Sequence, residues 1–197
     1  MATERNSRTP RVDRGTIVDT ALRLLDEVGL ADVSMRRLGS ELGVQPSALY
    51  WHIANKQELL AAVADRIVPA APVLLGEDLS PGAVARRLRT ALLAHRDGAE
   101  VVLSTYALSL GTSPAAAALQ AALRPAVAAE LRPTVAAAIL QFVLGNASVL
   151  QQRLTALRFG ALTGDAHAMT SASDDEFTVG LDALLAGVAH RASEQTH

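Results

Sequence analysis

One short stretch of the 197-residue chain concentrates side chains that can contact a nucleic acid. Residues 44–56 contain the only tryptophan, the only lysine and one of the two tyrosines. A helix that begins at Pro46 would turn Leu49 and Ile53 toward a core. Its outer face would carry Ser47, Tyr50, Trp51 and His52. Because large aromatic side chains on a solvated face need an explanation, this pattern favours contact with a DNA groove and its phosphates.

A second short helix is predicted immediately upstream, over residues 34–42. Ser34 would cap it, Leu38 and Leu42 would be buried, and Gly43 would end it. Two short helices joined by a glycine-containing turn form a helix-turn-helix, in which the second helix enters the major groove. The sequence therefore predicts a DNA-binding protein.

Side chains that could catalyse a reaction or hold a metal are scattered. There is no cysteine, so no thiolate metal site or disulfide framework can form. The histidines fall in different predicted elements: His52, His95, His167, His190 and His197. None has an acid or a nucleophile at a helical spacing that would indicate a catalytic pair. No glycine-rich phosphate loop is present. We predict no metal and no cofactor, and an all-α enzyme is the least favoured alternative.

The composition predicts an all-α fold. Half of the residues are hydrophobic but only 3% are aromatic, so the core would consist mainly of alanine, leucine and valine. No segment alternates with the period of a strand. No signal peptide is recognised, and no apolar run reaches the roughly 18–20 residues that span a bilayer. These features predict a cytoplasmic protein that does not bind membranes.

The net charge neither supports nor excludes DNA binding, but the distribution of charge along the chain is informative. The net charge is −2, but the first 14 residues carry four arginines. These are Arg5, Arg8, Arg11 and Arg14. They could form a solvated disordered arm or, less favoured, an arm that reaches into the minor groove.

Proline and glycine positions divide the chain into two predicted domains. A first helix over about 13–28, the two short helices and a connecting helix from Lys56 to Val68 form a head over residues 1–68. Pro69, Pro72 and Gly76 mark the boundary with a helical body over residues 69–197. Body helices are predicted to begin near residues 81, 99, 114, 133 and 174, with a mobile loop over 160–173.

Two body helices are too apolar for the surface of a monomer. The long helix near 133–158 and the last helix near 174–192 carry alanine and glycine beyond their main apolar stripes. Small residues allow helices to approach closely, which favours a four-helix interface between two copies of the chain. The alternative is that these faces pack inside one subunit.

Five segments together resemble the tetracycline-repressor (TetR) family, and in particular its tetracycline repressor branch. They are residues 24–30 (LLDEVGL), 49–52 (LYWH), 55–56 (NK), 91–99 (ALLAHRDGA) and 177–181 (FTVGL). The resemblance is strongest in the head and vaguest around residues 107–134. It implies an N-terminal three-helix helix-turn-helix head, followed by a helical domain that binds an effector and forms a homodimer on a palindromic operator.

The resemblance also implies roles for individual head residues. The positions that read bases correspond to Arg36, Pro46, Ser47 and Tyr50. The positions that touch the DNA backbone correspond to Ser34, Ala48, Trp51, His52 and Lys56. Arg36 could bind the O6 and N7 edge of guanine with two hydrogen bonds, and Tyr50 and Lys56 could bind phosphates. For Trp51 the alternative is a packing role beneath the head.

The drug site of the tetracycline repressor does not carry over. Its metal-binding histidine corresponds to Val102, and its drug-binding asparagine and phenylalanine fall near Val84 and Leu88. A hard divalent cation needs oxygen or nitrogen ligands, which these side chains lack. The sequence therefore predicts neither magnesium binding nor a response to tetracycline.

What remains at these positions is a largely apolar candidate pocket. Its predicted lining is Leu88, Leu92, Val102, Thr105, Phe142, Asn146 and Val149. Such a lining suits a hydrophobic small-molecule effector. A collapsed core without a cavity and a body that binds a protein partner are the alternatives. His95 could bind a ligand, but a bridge between helix ends is favoured.

Overall fold

The computed structural model describes residues 12–194, and every regular element in that range is helical. The elements are α1 (Arg14–Val28), a 3-10 turn (Leu30–Asp32), α2 (Met35–Leu42), α3 (Pro46–Leu49), α4 (Lys56–Ile67), α5 (Ala71–Leu75), α6 (Pro81–Leu93), α7 (Gly98–Ala107), α8 (Pro114–Leu123), α9 (Arg132–Arg158) and α10 (Ala166–Glu194). The all-α prediction is confirmed.

Local capping signals set the helix starts in the head. The carboxylate of Asp13 accepts a hydrogen bond from the Thr16 amide at 2.8 Å, and the side chain of Asn55 accepts one from the Glu58 amide at 2.8 Å. The hydroxyl oxygen of Ser34 accepts one from the Arg37 amide at 3.2 Å. Each contact satisfies an amide that the first helical turn leaves without a partner. The head therefore assembles from elements that are already well delimited in the sequence.

The cap at Asp13 predicts a pH dependence of the head. Hydrogen bonds from the Thr16 backbone amide lower the pKa of this carboxyl below its ordinary value. A lowered pKa in the folded state means that the stabilisation is complete above the unfolded pKa of about 4. It is lost as the pH falls through the lower, folded value.

We therefore expect the melting temperature to decline on acidification below about pH 4–5, as measured by circular dichroism. Asp13→Asn retains an N-cap side chain but cannot titrate, so its melting temperature should decline less steeply. Identical acid profiles for the two proteins would contradict this assignment.

In the body, α9 lies centrally and packs against α6, α7, α8 and α10. Its inner face includes Ile139, Val143 and Ala147, all fully buried or nearly so. Among the described helices, α9 alone is long and apolar enough to cross a membrane by length and composition, as are the core helices of many soluble proteins. Its neighbours give it the surroundings of a core helix.

Three predicted boundaries differ from the structure. The mobile loop predicted over 160–173 is wrong for its second half, because Asp165 caps α10 by accepting a hydrogen bond from the Ala168 amide at 2.8 Å. The predicted boundary at residues 69–76 contains the short helix α5, and α3 is a single turn rather than a longer helix.

The turn before α7 forms hydrogen bonds with the end of α1 and so connects the body to the head. The Asp26 carboxylate accepts a hydrogen bond from the Arg96 amide at 3.0 Å and lies 3.0 Å from Nδ1 of His95. The Asp97 carboxylate in turn accepts one from the Leu30 amide at 2.8 Å. The Arg96 guanidinium lies only 2.9 Å from where a Cβ of Gly29 would stand. We call this contact between residues 26–30 and 95–97 the junction; it agrees with the interpretation of His95 as a bridge.

Candidate nucleic-acid interface and effector cavity

The helix-turn-helix exposes its aromatic residues. Leu49 and Ile53 are buried, whereas Tyr50 is 51% exposed and Trp51 89% exposed. This exposure excludes the alternative in which Trp51 packs beneath the head. The side chain is free to contact a ligand as large as DNA.

Most of the nine predicted DNA contacts are exposed in the structure. The exposed ones are Ser34, Arg36, Ser47, Ala48, Tyr50, Trp51 and His52, while Pro46 and Lys56 are half-buried. Within residues 12–194, neither Arg36 nor Lys56 is engaged in an ion pair. Both cations therefore remain available to bases or phosphates.

Close contact between α2 and the following turn fixes the start of α3. A Cβ placed on Gly39 would lie 2.8 Å from the carbonyl oxygen of Val44 and 3.3 Å from the nitrogen of Pro46. The Val44 amide also donates a hydrogen bond to the Gly39 carbonyl at 2.9 Å. The absence of a side chain at Gly39 thus lets α3 begin close against α2. It fixes the position of residues 46–52, which we call the reading segment.

The N-terminal arginines divide between described and undescribed parts of the chain. Arg5, Arg8 and Arg11 lie outside the described residues. Arg14 belongs to α1, where its guanidinium pairs with Glu58 at 2.5 Å. Arg14 is therefore part of the folded head.

A small cavity lies where the connecting helix packs against the body. Its volume is about 30 Å³, and it lies among α4, α7, α8 and α9. The lining includes Ala64 and Val68 of α4, together with Val102, Thr105 and Tyr106 of α7. Two polar lining residues have their own partners: Thr105 donates its hydroxyl to the Val101 carbonyl at 2.7 Å, and the Asp65 carboxylate accepts from the Thr112 amide at 3.1 Å. Apart from these two residues, Ser113 and the Tyr106 hydroxyl, the lining is apolar.

The other five predicted pocket residues do not line this cavity. Leu88 and Leu92 are fully buried in the core of the body. Phe142 stacks on Phe177 with ring centroids 5.6 Å apart. Asn146 accepts a hydrogen bond from Arg89, and Val149 is 47% exposed on the outer side of α9. The structure thus brings only Val102 and Thr105 together at the cavity.

Sequence reasoning missed Arg89, which organises the interior of the body. Its guanidinium donates to Asn146 at 2.7 Å, to Asp174 at 2.6 Å and to Ser173 at 3.0 Å. It also lies 4.8 Å from the ring centroid of Phe177, within range of a cation–π interaction. The available signal was a charged residue directly beside Leu88 in the apolar stripe of α6.

Residues 17–63 match the sequence profile of the bacterial regulatory proteins of the tetR family. The class G tetracycline repressor of Vibrio anguillarum is 31% identical over 90% of this chain and 93% of its own length. The chain belongs to the TetR family. The class D repressor of Escherichia coli is 39% identical, but there the chain spans about half of the relative, 46% of its length.

Solved structures of TetR-family proteins have the same architecture. BioQ of Mycobacterium smegmatis is 36% identical, with a TM-score of 0.79 over 91% of this chain and 99% of that one. A BioQ structure with its double-stranded DNA operator is 35% identical, with a TM-score of 0.75 and the same coverage. ActR of Streptomyces coelicolor, solved with (S)-DNPA, is 27% identical, with a TM-score of 0.68 over 92% and 99%.

Family membership fixes the general activity of the chain. It is a TetR-family DNA-binding transcriptional regulator, and its relatives are regulators rather than enzymes. The segment matched by the family profile contains α2, α3 and the start of α4. The exposed aromatic and basic residues therefore lie in the part of the chain that defines the family.

Proposed function

We propose that the chain is a cytoplasmic repressor that binds a palindromic operator as a homodimer and is released by a hydrophobic small molecule. The observation that carries this proposal is the apolar cavity between the body and α4, the helix that leads back to the reading segment. A ligand there would touch the body and the connecting helix at once. The ActR complex supports ligand binding in a body of this architecture.

On the head, we assign base reading to Arg36, Pro46, Ser47 and Tyr50. We assign contact with the DNA backbone to Ser34, Ala48, Trp51, His52 and Lys56. The exposure of the two aromatic side chains and the lack of ion pairs at Arg36 and Lys56 support these roles. Among the base readers, Pro46 offers only apolar contact, whereas Arg36 can form two hydrogen bonds with one guanine.

An exposed apolar groove supports a dimer built from α9 and α10. Its lining includes Leu131, Val135 and Ala138 on the side of α9, and Leu184 and Val188 on α10. Covering such a groove with its copy would remove apolar surface from water. Two heads could then occupy successive major grooves, about 34–36 Å apart.

The small volume of the cavity determines how the protein would respond to an effector. A volume of about 30 Å³ holds about one water molecule, so a larger effector must widen the space between α4 and α7. An effector that binds better to the widened state would shift the population toward it. If that state spaces the two heads incorrectly, the operator is released.

Tyr50→Ala tests the reading segment. We expect fluorescence anisotropy to show a loss of specific binding to DNA from the upstream region of the gene, measured against a scrambled duplex. Lys56→Ala is the comparison, because loss of one phosphate contact should weaken both duplexes similarly and reduce the salt slope by about one. Unchanged discrimination in Tyr50→Ala would contradict the assignment of base reading to this residue.

A further inference from the structure

The turn after α3 carries the most exposed aromatic side chain of the described residues, next to the buried side chain of Ile53. Trp51 gains no anchoring from a core, because it is almost fully exposed. The main-chain contacts within the turn run from the amides of His52 and Ile53 to the Leu49 carbonyl, each at 3.0 Å. The side chain of Ile53 anchors the middle of the segment in the core. The His52 carbonyl and the Ala54 amide, on either side of Ile53, take their hydrogen-bond partners from other side chains.

Glu58 supplies these hydrogen-bond restraints through both of its carboxylate oxygens, directly and by way of Arg14. Oε2 accepts a hydrogen bond from the Ala54 amide at 2.8 Å. Oε1 accepts one from the Arg14 guanidinium at 2.5 Å, and the same guanidinium nitrogen donates to the His52 carbonyl at 3.2 Å. Glu58 thus links α1, the turn and α4: it holds the Ala54 end of the segment 52–54 directly and the His52 end through Arg14.

The position of Glu58 is electrostatically unfavourable for a protein that binds phosphates. It lies two residues after Lys56 and is bonded to the amide that follows Ile53, within the segment assigned to DNA contact. The hydrogen bond from Arg14 and that from the Ala54 amide lower the pKa of Glu58, so it stays ionised at neutral pH. Paired with Arg14, Glu58 leaves no net positive charge here to attract phosphates. We therefore look for its role in the conformation that it maintains.

We propose that Glu58, acting with Arg14, is a positioning residue for operator recognition: it fixes the His52 carbonyl and the Ala54 amide so that Trp51 and His52 meet the DNA backbone in one geometry. The inference rests on the assignment of this turn to DNA contact. It adds two residues to the recognition apparatus that do not themselves touch DNA.

Glu58→Gln separates positioning from simple charge, because the two predict opposite signs. Loss of a negative charge alone would tighten binding to operator and scrambled DNA alike. Loss of positioning should weaken operator binding by about two- to fivefold, the range of an exposed ion pair. Binding to scrambled DNA should stay equal or tighten, so the ratio of specific to nonspecific affinity falls.

Glu41→Gln is the matched control on the same head. Glu41 pairs with Arg23 at 2.5 Å and is similarly exposed, but it has no bond to the turn. The variant makes the same charge change, so we expect its affinity ratio to equal that of the wild type. Arg14→Gln should lower the ratio without changing the salt slope, and should add little in a Glu58→Gln background.

Melting curves and a second variant distinguish loss of positioning from poor folding. Glu58→Asp retains the charge but is too short to serve both partners, so it should also lower the ratio if Glu58→Gln folds poorly. An unchanged ratio in a folded variant, whatever its melting temperature, would overturn the positioning role. A wild-type protein that does not prefer its operator would instead contradict the proposed function.

Discussion

Gly39→Ala is expected to weaken operator binding by about tenfold or more and to lower the melting temperature. A methyl group on Gly39 would lie 2.8 Å from the carbonyl oxygen of Val44, well inside an ordinary contact distance. Backbone atoms cannot rotate away as a flexible side chain can. The turn and the start of α3 must therefore move relative to α2.

The expected magnitude follows from the strain. Overpacking of this kind costs about 1–3 kcal/mol. Because binding to the operator requires α3 in its native place, the strain reappears as lost affinity, at about 1.4 kcal/mol per factor of ten. The melting temperature should fall by roughly 2–4 °C for each kcal/mol in a chain of this length.

Gly15→Ala is the control for this substitution. Gly15 lies in the first turn of α1 in the same head, and the nearest atom to its added Cβ would be 3.5 Å away, an ordinary contact. Helix propensity predicts equal or slightly greater stability there. Circular dichroism and anisotropy should place Gly39→Ala below the wild type in stability and affinity, and Gly15→Ala level with it or slightly more stable; equal tolerance would refute the close approach at Gly39.

Arg89→Ala is expected to destabilise the body by about 2–3 kcal/mol, through a void and lost hydrogen bonds. The Arg89 side chain is only 10% exposed, and its removal would leave the side chains of Asn146 and Ser173 without their donor. Asp174 is 56% exposed, so water can replace part of its interaction. The full penalty of an unpaired buried charge is therefore not expected. Urea unfolding measured by circular dichroism would give the change.

Arg86→Ala provides a matched comparison on the same helix. Arg86 also pairs with α10, through Asp182 at 3.6 Å, but both side chains are more than half exposed. We expect a change below about 1 kcal/mol. Arg89→Met should recover part of the packing but none of the hydrogen bonds. If Arg89→Ala and Arg86→Ala were equally stable, the buried network would have no special role.

The head was predictable because its signals are local. Asp13, Ser34 and Asn55 cap helices within three residues of themselves, and glycines at 29 and 43 end two of them. The turning of Leu49 and Ile53 toward a core required only helical periodicity. These signals can be recognised in the sequence without knowledge of the tertiary structure.

The body was less predictable because its interior depends on contacts between distant segments. Arg89 meets partners 57 and 85 positions away along the chain, which no local pattern reveals. On α9, the buried neighbours Ser148 and Leu150 leave Val149 facing outward, although the sequence predicted that it lines the pocket. The start of α10 was missed because small polar residues obscured the cap at Asp165.

The junction has a consequence for exchanging DNA specificity between regulators. A chimaera that transplants only residues 1–68 would place Asp26 and Leu30 against a foreign turn in the recipient. The partners that Arg96 and Asp97 supply would then be missing, and the new head would be oriented only by its other contacts with the body, such as those between α4 and α7. The portable unit of specificity is therefore discontinuous: it comprises the head and the three-residue turn 95–97 that orients it.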